Sequence, residues 1–305
     1  MGFFKKFLNH ATYCVLHTTF LKDIIIIYHG DCPDGFGGAW AAWKKFGDKA
    51  EYIPGYYNNT APPDLHDKEI YFIDFVYPDE VTYKWLKNNK RVTVIDHHFS
   101  KEALAKQTKE YSFSLDHSGA VLAWKYFHPG KLVPKMLEYI EDRDLYKWEL
   151  PYSRAIGIFI DSFPRDFKIW SKFIGELGSS SKFKKAVEKG EVIVKYEAEL
   201  VGKLINEGAK LVNFEGHEVF VMNAPHEFAS DIGSILSAKQ GPFSIIWSEE
   251  RDLIRVSLRA ARDSKFDVSK LAAKYGGGGH KAASGFRLPA ISLFPWHEKL
   301  LNKRR

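Results

Sequence analysis

The feature that most restricts this chain is a repeated event at the ends of short apolar runs. Residues 24–28, 70–73 and 92–95 are β-rich and of strand length, and each run stops on acids or histidines. His29, Asp31 and Asp34 follow the first run, Asp74 the second, and Asp96-His97-His98 the third. Helix-like segments come next at 39–46, 79–87 and 101–106. Strands alternating with helices predict a mostly parallel sheet covered on both faces. In such open sheets ligands sit at the carboxyl ends of the strands, so three strands deliver carboxylates and imidazoles to one edge.

Gathered carboxylates repel one another and do not all stay ionised unless a cation is present. A mixed Asp and His donor set suits Mn²⁺, Mg²⁺ or Zn²⁺, and its surplus of carboxylates leans toward Mn²⁺, with Mg²⁺ second. There are more candidate ligands than one ion needs, so two divalent cations are expected. Such a pair generates a hydroxide and clamps the oxygens of an in-line displacement at phosphorus. Taken singly, each acid reads as a helix cap or turn residue and each histidine as a structural one. An Asp-His-His run directly after a strand, with His29, Asp34 and Asp74 in register beside it, outweighs those readings.

From 120 to about 173 the pattern turns helical and rich in Trp and Tyr. The Gly-Ser-Ser-Ser run at 178–181 is the strongest boundary signal. A connecting helix follows, with a break expected near Gly190, and then a second strand-rich unit. The predicted organisation is an N-terminal extension (1–22), an α/β domain with a mostly parallel sheet flanked by helices (23–180) and a connecting helix (181–209). A smaller C-terminal α/β domain (210–289) and a basic tail (290–305) complete it.

The formal net charge of +6 over 305 residues invites a nucleic-acid reading. Residues 1–22 and 297–305 carry +3 each, however, and so account for all of it. A balanced body does not form the long basic track that grips nucleic acid without regard to sequence, so no stable complex with a long strand is expected. Two cysteines, Cys14 and Cys32, make no disulfide framework, which points to a reducing, cytoplasmic setting. No apolar run has the length of a membrane span. Homodimerisation is left open.

Five motifs together resemble the DHH phosphoesterases: His29-Gly-Asp-Cys-Pro-Asp34-Gly35, Phe72-Ile-Asp74, Ile95-Asp-His-His98, Glu141-Asp-Arg-Asp144 and Gly276-Gly-Gly-Gly-His280. The resemblance implies that His29, Asp34, Asp74, His97 and Asp142 hold the metals, with Asp74 bridging. It also implies that Asp96 orients a histidine, while His98 meets the scissile phosphate or acts as general acid. Two departures stand out. Many members have one residue between the two aspartates of the first motif, whereas Cys32-Pro33 separates Asp31 from Asp34 here. Asp31 is therefore carried as a ligand on even terms, and Cys32 is read as a bystander. Asp142 is chosen over Asp144 because an aromatic, Tyr146, follows four residues later; Asp144 stays open as a ligand or as a partner of Arg143.

The glycine tract 276–279 follows a helix-like segment. One glycine would cap that helix; four leave backbone that can approach an anion. The tract resembles the hallmark of the DHHA1 domain, which accompanies the DHH domain in RecJ-type exonucleases, nano-RNases and cyclic-dinucleotide phosphodiesterases. It implies that Arg259, Gly277, Gly278, Gly279 and His280 grip substrate phosphate or base. The expected function is metal-dependent hydrolysis of short RNA or a small nucleotide phosphoester, of the oligoribonuclease (nano-RNase) kind. Alternatives are cyclic-dinucleotide phosphodiesterase and 3′-phosphoadenosine-5′-phosphate phosphatase activity. A catalytically silent nucleotide- or single-strand-binding protein on the same fold is the non-enzymatic alternative.

Overall fold

The computed structural model describes residues 22–56, 61–62, 65–250, 252–261, 264–290 and 297–298. Residues 1–21 of the extension expected at 1–22, and most of the expected basic tail, lie outside them. The chain divides into two compact units, Met1–Val194 and Lys195–Arg305.

Five strands build the first unit: β1 (Ile24–His29), β2 (Ala50–Gly55), β3 (Glu69–Ile73), β4 (Arg91–Asp96) and β5 (Glu110–Phe113). They lie in the order β2-β1-β3-β4-β5 and every neighbouring pair is parallel. The order reverses at β1, with β2 on one side and β3 on the other. That reversal opens a crevice at the carboxyl ends of β1 and β3, the place where doubly wound sheets take their ligands.

Side-chain alternation along the strands sorts the core into two layers. Ile26, Tyr71, Ile73 and Ile95 pack on one face with Trp40, Trp124 and Trp170. Ile25, Ile27, Phe72 and Val94 pack on the other with Trp85 and Leu104. The first layer is roofed by α1 (Pro33–Phe46), α4 (Gly119–Phe127), α5 (Lys135–Asp144), α6 (Ser153–Asp161) and α7 (Phe167–Leu177), the second by α2 (Asp79–Asn88) and α3 (Glu102–Ala105). The first helix starts at Pro33, six residues before the pattern suggested. Its glycines are helical rather than a turn, because the helix lies so close to the sheet that a Cβ on Gly38 would stand 2.3 Å from Ile73 Cγ2.

The connection is one continuous helix, α8 (Ser180–Gly208), and the division between units falls inside it. The break expected at Gly190 is absent. That glycine instead permits close approach: a Cβ there would lie 2.0 Å from the Ala155 carbonyl oxygen.

The second unit has β6 (Lys210–Phe214), β7 (His217–Asn223), β8 (Phe243–Glu250), β9 (Leu253–Ala260), β10 (Gly278–Gly279), β11 (Ala283–Pro289) and β12 (His297–Glu298), in the order β10-β11-β9-β8-β7-β6-β12. Only the β7/β8 pair is parallel among the described residues. Val212, Phe243, Ile245 and Leu258 form one buried layer with Val268 and Leu271 of α10 (Val268–Lys274). Met222 and Ile246 form the other with Ile232 and Leu236 of α9 (Ala229–Lys239) and with Val201 and Ile205 of α8.

Candidate metal centre

Three strand ends and two helices meet at the crevice of the first unit. His29 closes β1. Asp74 follows β3 in the left-handed region (φ 55°), with its amide donating to the Ile95 carbonyl at 2.9 Å. An aspartate tolerates that conformation better than most residues, but it still carries strain, and such strain gathers at functional sites. Asp96, His97 and His98 continue from β4.

The donor atoms converge in neighbouring trios, His29-Cys32-Asp74 and Asp34-His97-Asp144, and the Asp74 carboxylate of the first reaches toward the second. In the first, Cys32 Sγ lies 3.1 Å from His29 Nδ1 and 3.1 Å from Asp74 Oδ2, and the latter two are 3.5 Å apart. In the second, His97 Nε2 lies 3.9 Å from Asp34 Oδ2 and 3.4 Å from Asp144 Oδ2. The other oxygen of Asp74 is 3.3 Å from the same His97 nitrogen. Asp34, Asp74, Asp96 and His97 are buried, at 1–2% exposure, which is extreme for ionisable groups without compensation.

Asp34 is fixed by the start of α4. Its two oxygens accept from Gly119 N at 2.7 Å and Ala120 N at 3.0 Å, so a helix N-terminus partly offsets its charge. Asp96 Oδ1 accepts from the amides of His97 and His98 at 2.7 and 2.8 Å, and lies 2.8 Å from His98 Nδ1. It thereby fixes the orientation of the His98 ring. Arg165 holds the first-motif loop from outside, donating to the carbonyls of Gly30 at 2.8 Å and Asp31 at 2.9 Å. The sequence reading missed this arginine; its only signal was a lone basic residue in the Phe-Pro-Arg-Asp turn.

Three expectations change. Asp142 is not among the converging donors. Its Oδ1 accepts from Glu149 N at 2.8 Å and Leu150 N at 3.3 Å, and its Oδ2 from Ser153 Oγ at 2.5 Å. Those bonds use the carboxylate to fold the 145–153 segment, and Asp144, two residues on, faces His97 instead. Asp31 is exposed and in none of the clusters. Cys32, read as a bystander, occupies the inner position.

The protonation pattern reflects crowded charge. Burial pushes Asp34 well up, and Asp144 and Asp74 beside it push further. Burial likewise raises Asp144. Burial also works against ionised Asp74, but the His29 and His97 rings beside it outweigh that and hold the carboxyl low. On His97 burial favours the neutral ring, yet the adjacent Asp74 carboxylate and the charges of Asp144 and Asp34 win and raise it to about 10. His98 is raised to about 9, with the Asp96 bond overcoming burial. Protons here do the neutralising that a divalent cation would do. Asp74 Oδ1, Asp96 Oδ2 and Asp144 Oδ2 are buried without a hydrogen bond. A mixed O, N and S donor set with orphaned carboxylate oxygens fits a divalent cation.

The second unit holds its own anion-suited pocket of about 290 Å³, lined by His226, Arg255, Arg259, Gly278 and Arg287 among others. Glu250 accepts from Arg255 at 2.8 Å and Arg287 at 3.4 Å, while Arg259 bonds Ser230 Oγ and the Leu258 carbonyl. The glycine tract is less bare than its sequence suggests. Gly276 and Gly277 close the end of α10 on Ala273 and Ala272 carbonyls, and Gly278 and Gly279 pair with Gly285 and Ser284. A Cβ on Gly277 would stand 2.1 Å from the Gly285 carbonyl oxygen, so tight hairpin packing is itself a reason for glycine. His280 sits exposed in the turn, its amide donating to Ala283 O at 2.8 Å. Among the described residues no helix is long and apolar enough to cross a membrane.

Comparison with known proteins bears on both units. Residues 223–301 match the DHHA1 domain family. The chain is 30% identical over 291 residues to the uncharacterized protein R106 of Acanthamoeba polyphaga mimivirus, covering 88% of this chain and 68% of that protein. Among solved structures, the DHH domain of PF0399, a member of a family of ribosomal proteins, is similar over 87% of this chain and 82% of that one, with a TM-score of 0.54 at 16% identity. That likeness is one of fold. The pGpG-specific phosphodiesterase PggH of Vibrio cholerae aligns over 89% of this chain and 94% of its own at a TM-score of 0.43 and 13% identity.

Proposed function

This chain belongs to the DHH/DHHA1 family, and we propose that it is a divalent-metal-dependent phosphoesterase acting on short oligoribonucleotides or small nucleotide phosphodiesters. The observation that carries the proposal is the convergence of His29, Cys32, Asp34, Asp74, His97 and Asp144 at the switch point of a parallel sheet. A pair of divalent cations bound there would supply Lewis-acid polarisation of a phosphoryl oxygen and an acidified water.

The protein's own groups divide the remaining work. With Nδ1 of His98 held by Asp96, Nε2 is the nitrogen that can give a proton to a leaving-group oxygen. The Asp96 carboxylate 2.8 Å from Nδ1 favours the protonated ring, the state a general acid needs. Water adds to phosphorus and gives up one proton to solvent, the bond to the leaving nucleotide oxygen breaks, and the departing alkoxide takes the His98 Nε2 proton, which solvent then returns to the ring. Asp96 then stabilises the orientation of the ring through the cycle.

A small substrate is supported by the pocket of the second unit, whose volume is at the low end of the roughly 300–1,000 Å³ usual for ligand sites. One carboxylate, Glu250, faces Arg255 and Arg287, and with Arg259 the pocket keeps a positive balance suited to a phosphate.

The test is a purified full-length chain offered RNA of two to five nucleotides, cyclic dinucleotides, 3′-phosphoadenosine-5′-phosphate and pyrophosphate, with Mn²⁺, Mg²⁺ or Zn²⁺. Turnover of a short phosphodiester that disappears in Asp74→Ala supports the proposal. Bound metal with no turnover of any substrate overturns it.

A further inference from the structure

We infer that Cys32 is a thiolate ligand to the first cation, standing where a carboxylate would otherwise stand, and that it biases this centre toward Zn²⁺-like ions. The inference rests on the metal-centre reading above and specifies one of its ligands.

The geometry is that of a coordination face. Cys32 Sγ, His29 Nδ1 and Asp74 Oδ2 are 3.1–3.5 Å from one another. Three donors with metal bonds of about 2.0–2.3 Å at near-tetrahedral angles are spaced slightly wider than this, so a small inward cation needs only minor spreading. Beside them, Asp74 is 2% exposed and its Oδ1 is buried without a hydrogen bond. That second observation concerns an oxygen, not the sulfur: it belongs to the carboxylate that completes the sulfur's trio, and its neighbours are imidazole nitrogens at 3.3 and 3.6 Å rather than hydrogen-bond partners.

A purely structural role explains Cys32 less well. The residue caps α1, its Sγ accepting from Gly35 N at 3.2 Å. Ser, Thr, Asp and Asn are the strong caps, and sulfur is a weak acceptor. A cap alone would favour oxygen at this position. The loop geometry also explains why no aspartate does the job: Arg165 binds the Gly30 and Asp31 carbonyls, and the Asp31 side chain is exposed while Cys32 lies inside.

On binding, the S–H bond gives its proton to solvent as the sulfur–metal bond forms. The coordinated thiol is deprotonated outright by the ion's charge. Thiolate is a soft donor that favours Zn²⁺ and Co²⁺, whereas carboxylate favours Mg²⁺ and Mn²⁺. The Mn²⁺ preference drawn from the acids alone therefore shifts at this position.

The experiment uses chelator-treated full-length protein titrated with Co²⁺ and read by absorption. Visible bands report cobalt in the nitrogen and oxygen cluster, and a near-ultraviolet charge-transfer band reports a cobalt–sulfur bond. Both are expected in the parent chain and in Cys14→Ser. Cys32→Ser and Cys32→Asp should lose the charge-transfer band while keeping visible bands, and Cys32→Asp should lower the ratio of Zn²⁺ to Mn²⁺ affinity. Visible bands without the charge-transfer band in the parent chain overturn the inference and leave the metal centre standing. No bound cobalt at all overturns the metal centre and the inference with it. Circular dichroism of both Cys32 variants guards against loss of the fold, and the parent spectrum decides even if they fail to fold.

Discussion

Replacing Gly119 with alanine tests whether α4 sets the geometry of the centre. A Cβ at this position would lie 2.7 Å from Asp74 Cβ, 2.9 Å from Asp34 Oδ2 and 3.3 Å from Asp74 Cα. Two of those contacts are to short, buried side chains with no room to swing, so α4 must retreat. Forcing a methyl into a packed site costs about 1–3 kcal/mol. Retreat also stretches the bonds from Gly119 and Ala120 to Asp34, and losing one hydrogen bond to a charged group costs about 1.5–3 kcal/mol. Alanine returns roughly 0.5–1 kcal/mol of helix propensity. The net expectation is about 2–4 kcal/mol of lost stability. For a unit of this size that lowers the melting temperature by on the order of 5–15 °C. Because Asp34 and Asp74 both move, divalent-ion affinity should fall by about 10–100-fold, the usual cost of disturbing groups that orient ligands. The control is Gly175→Ala in α7, where a Cβ meets nothing within 4 Å. It should melt at or slightly above the parent. Differential scanning calorimetry and Mn²⁺ titration calorimetry read both effects. If Gly119→Ala melts with the parent and binds the ion equally well, α4 does not position these carboxylates.

Asp142→Ala and Asp144→Ala should part company. The first should lose about 2–4 kcal/mol of stability, since three donors of the 149–153 segment go unmet, with metal stoichiometry per folded molecule retained. The second should melt near the parent but bind less metal, as read by elemental analysis after gel filtration. Arg165→Lys should lower metal affinity despite keeping the charge, because an ammonium cannot span the Gly30 and Asp31 carbonyls as the guanidinium does; an unchanged titration would deny it a positioning role. The second unit carries a pH signature. Burial, then the charges of Arg255 and Arg259, hold His226 down at about 4, so the unfolded chain takes up the proton first. Its stability contribution is full above about pH 6.5 and is lost as pH falls toward 4. Urea midpoints of His226→Asn should therefore decline less steeply than the parent's across that window.

Much of the first unit could be read from pattern. Continuous apolar runs ending in His29, Asp74 and Asp96-His97-His98 fix both the parallel sheet and its functional edge, since a strand's last residue is bound to that edge whatever surrounds it. Local pattern failed where the answer depended on distant chain. Asp142 and Asp144 lie on the same last turn of α5, and only the folding of 145–153 back onto Asp142 decides which faces His97. Cys32 reads as a bystander in sequence because the partner that gives it a place, Asp74, lies 42 residues away at the end of another strand. Gly38 and Gly190 look like turn and break signals, yet each marks backbone passing close to another element. Short strands such as β5, with four residues and a half-exposed pattern, carry too little periodicity to announce themselves.

The way the ligands are scattered along the chain has a kinetic consequence. The centre draws on His29 at one extreme and Asp144 at the other, and its sheet places the first-made strand, β1, between two partners made later. Contacts of such long sequence separation form slowly: the His29-Cys32-Asp74 trio waits for β3 to dock on β1, and the Asp34-His97-Asp144 trio waits for β4 and α5 as well. Repulsion among the acids further delays that closure. An ion that binds only the finished edge stabilises the native state by mass action and slows its loss, without speeding the earlier steps. Refolding of this unit should then be limited by sheet assembly, with the cation acting as a latch on the last step.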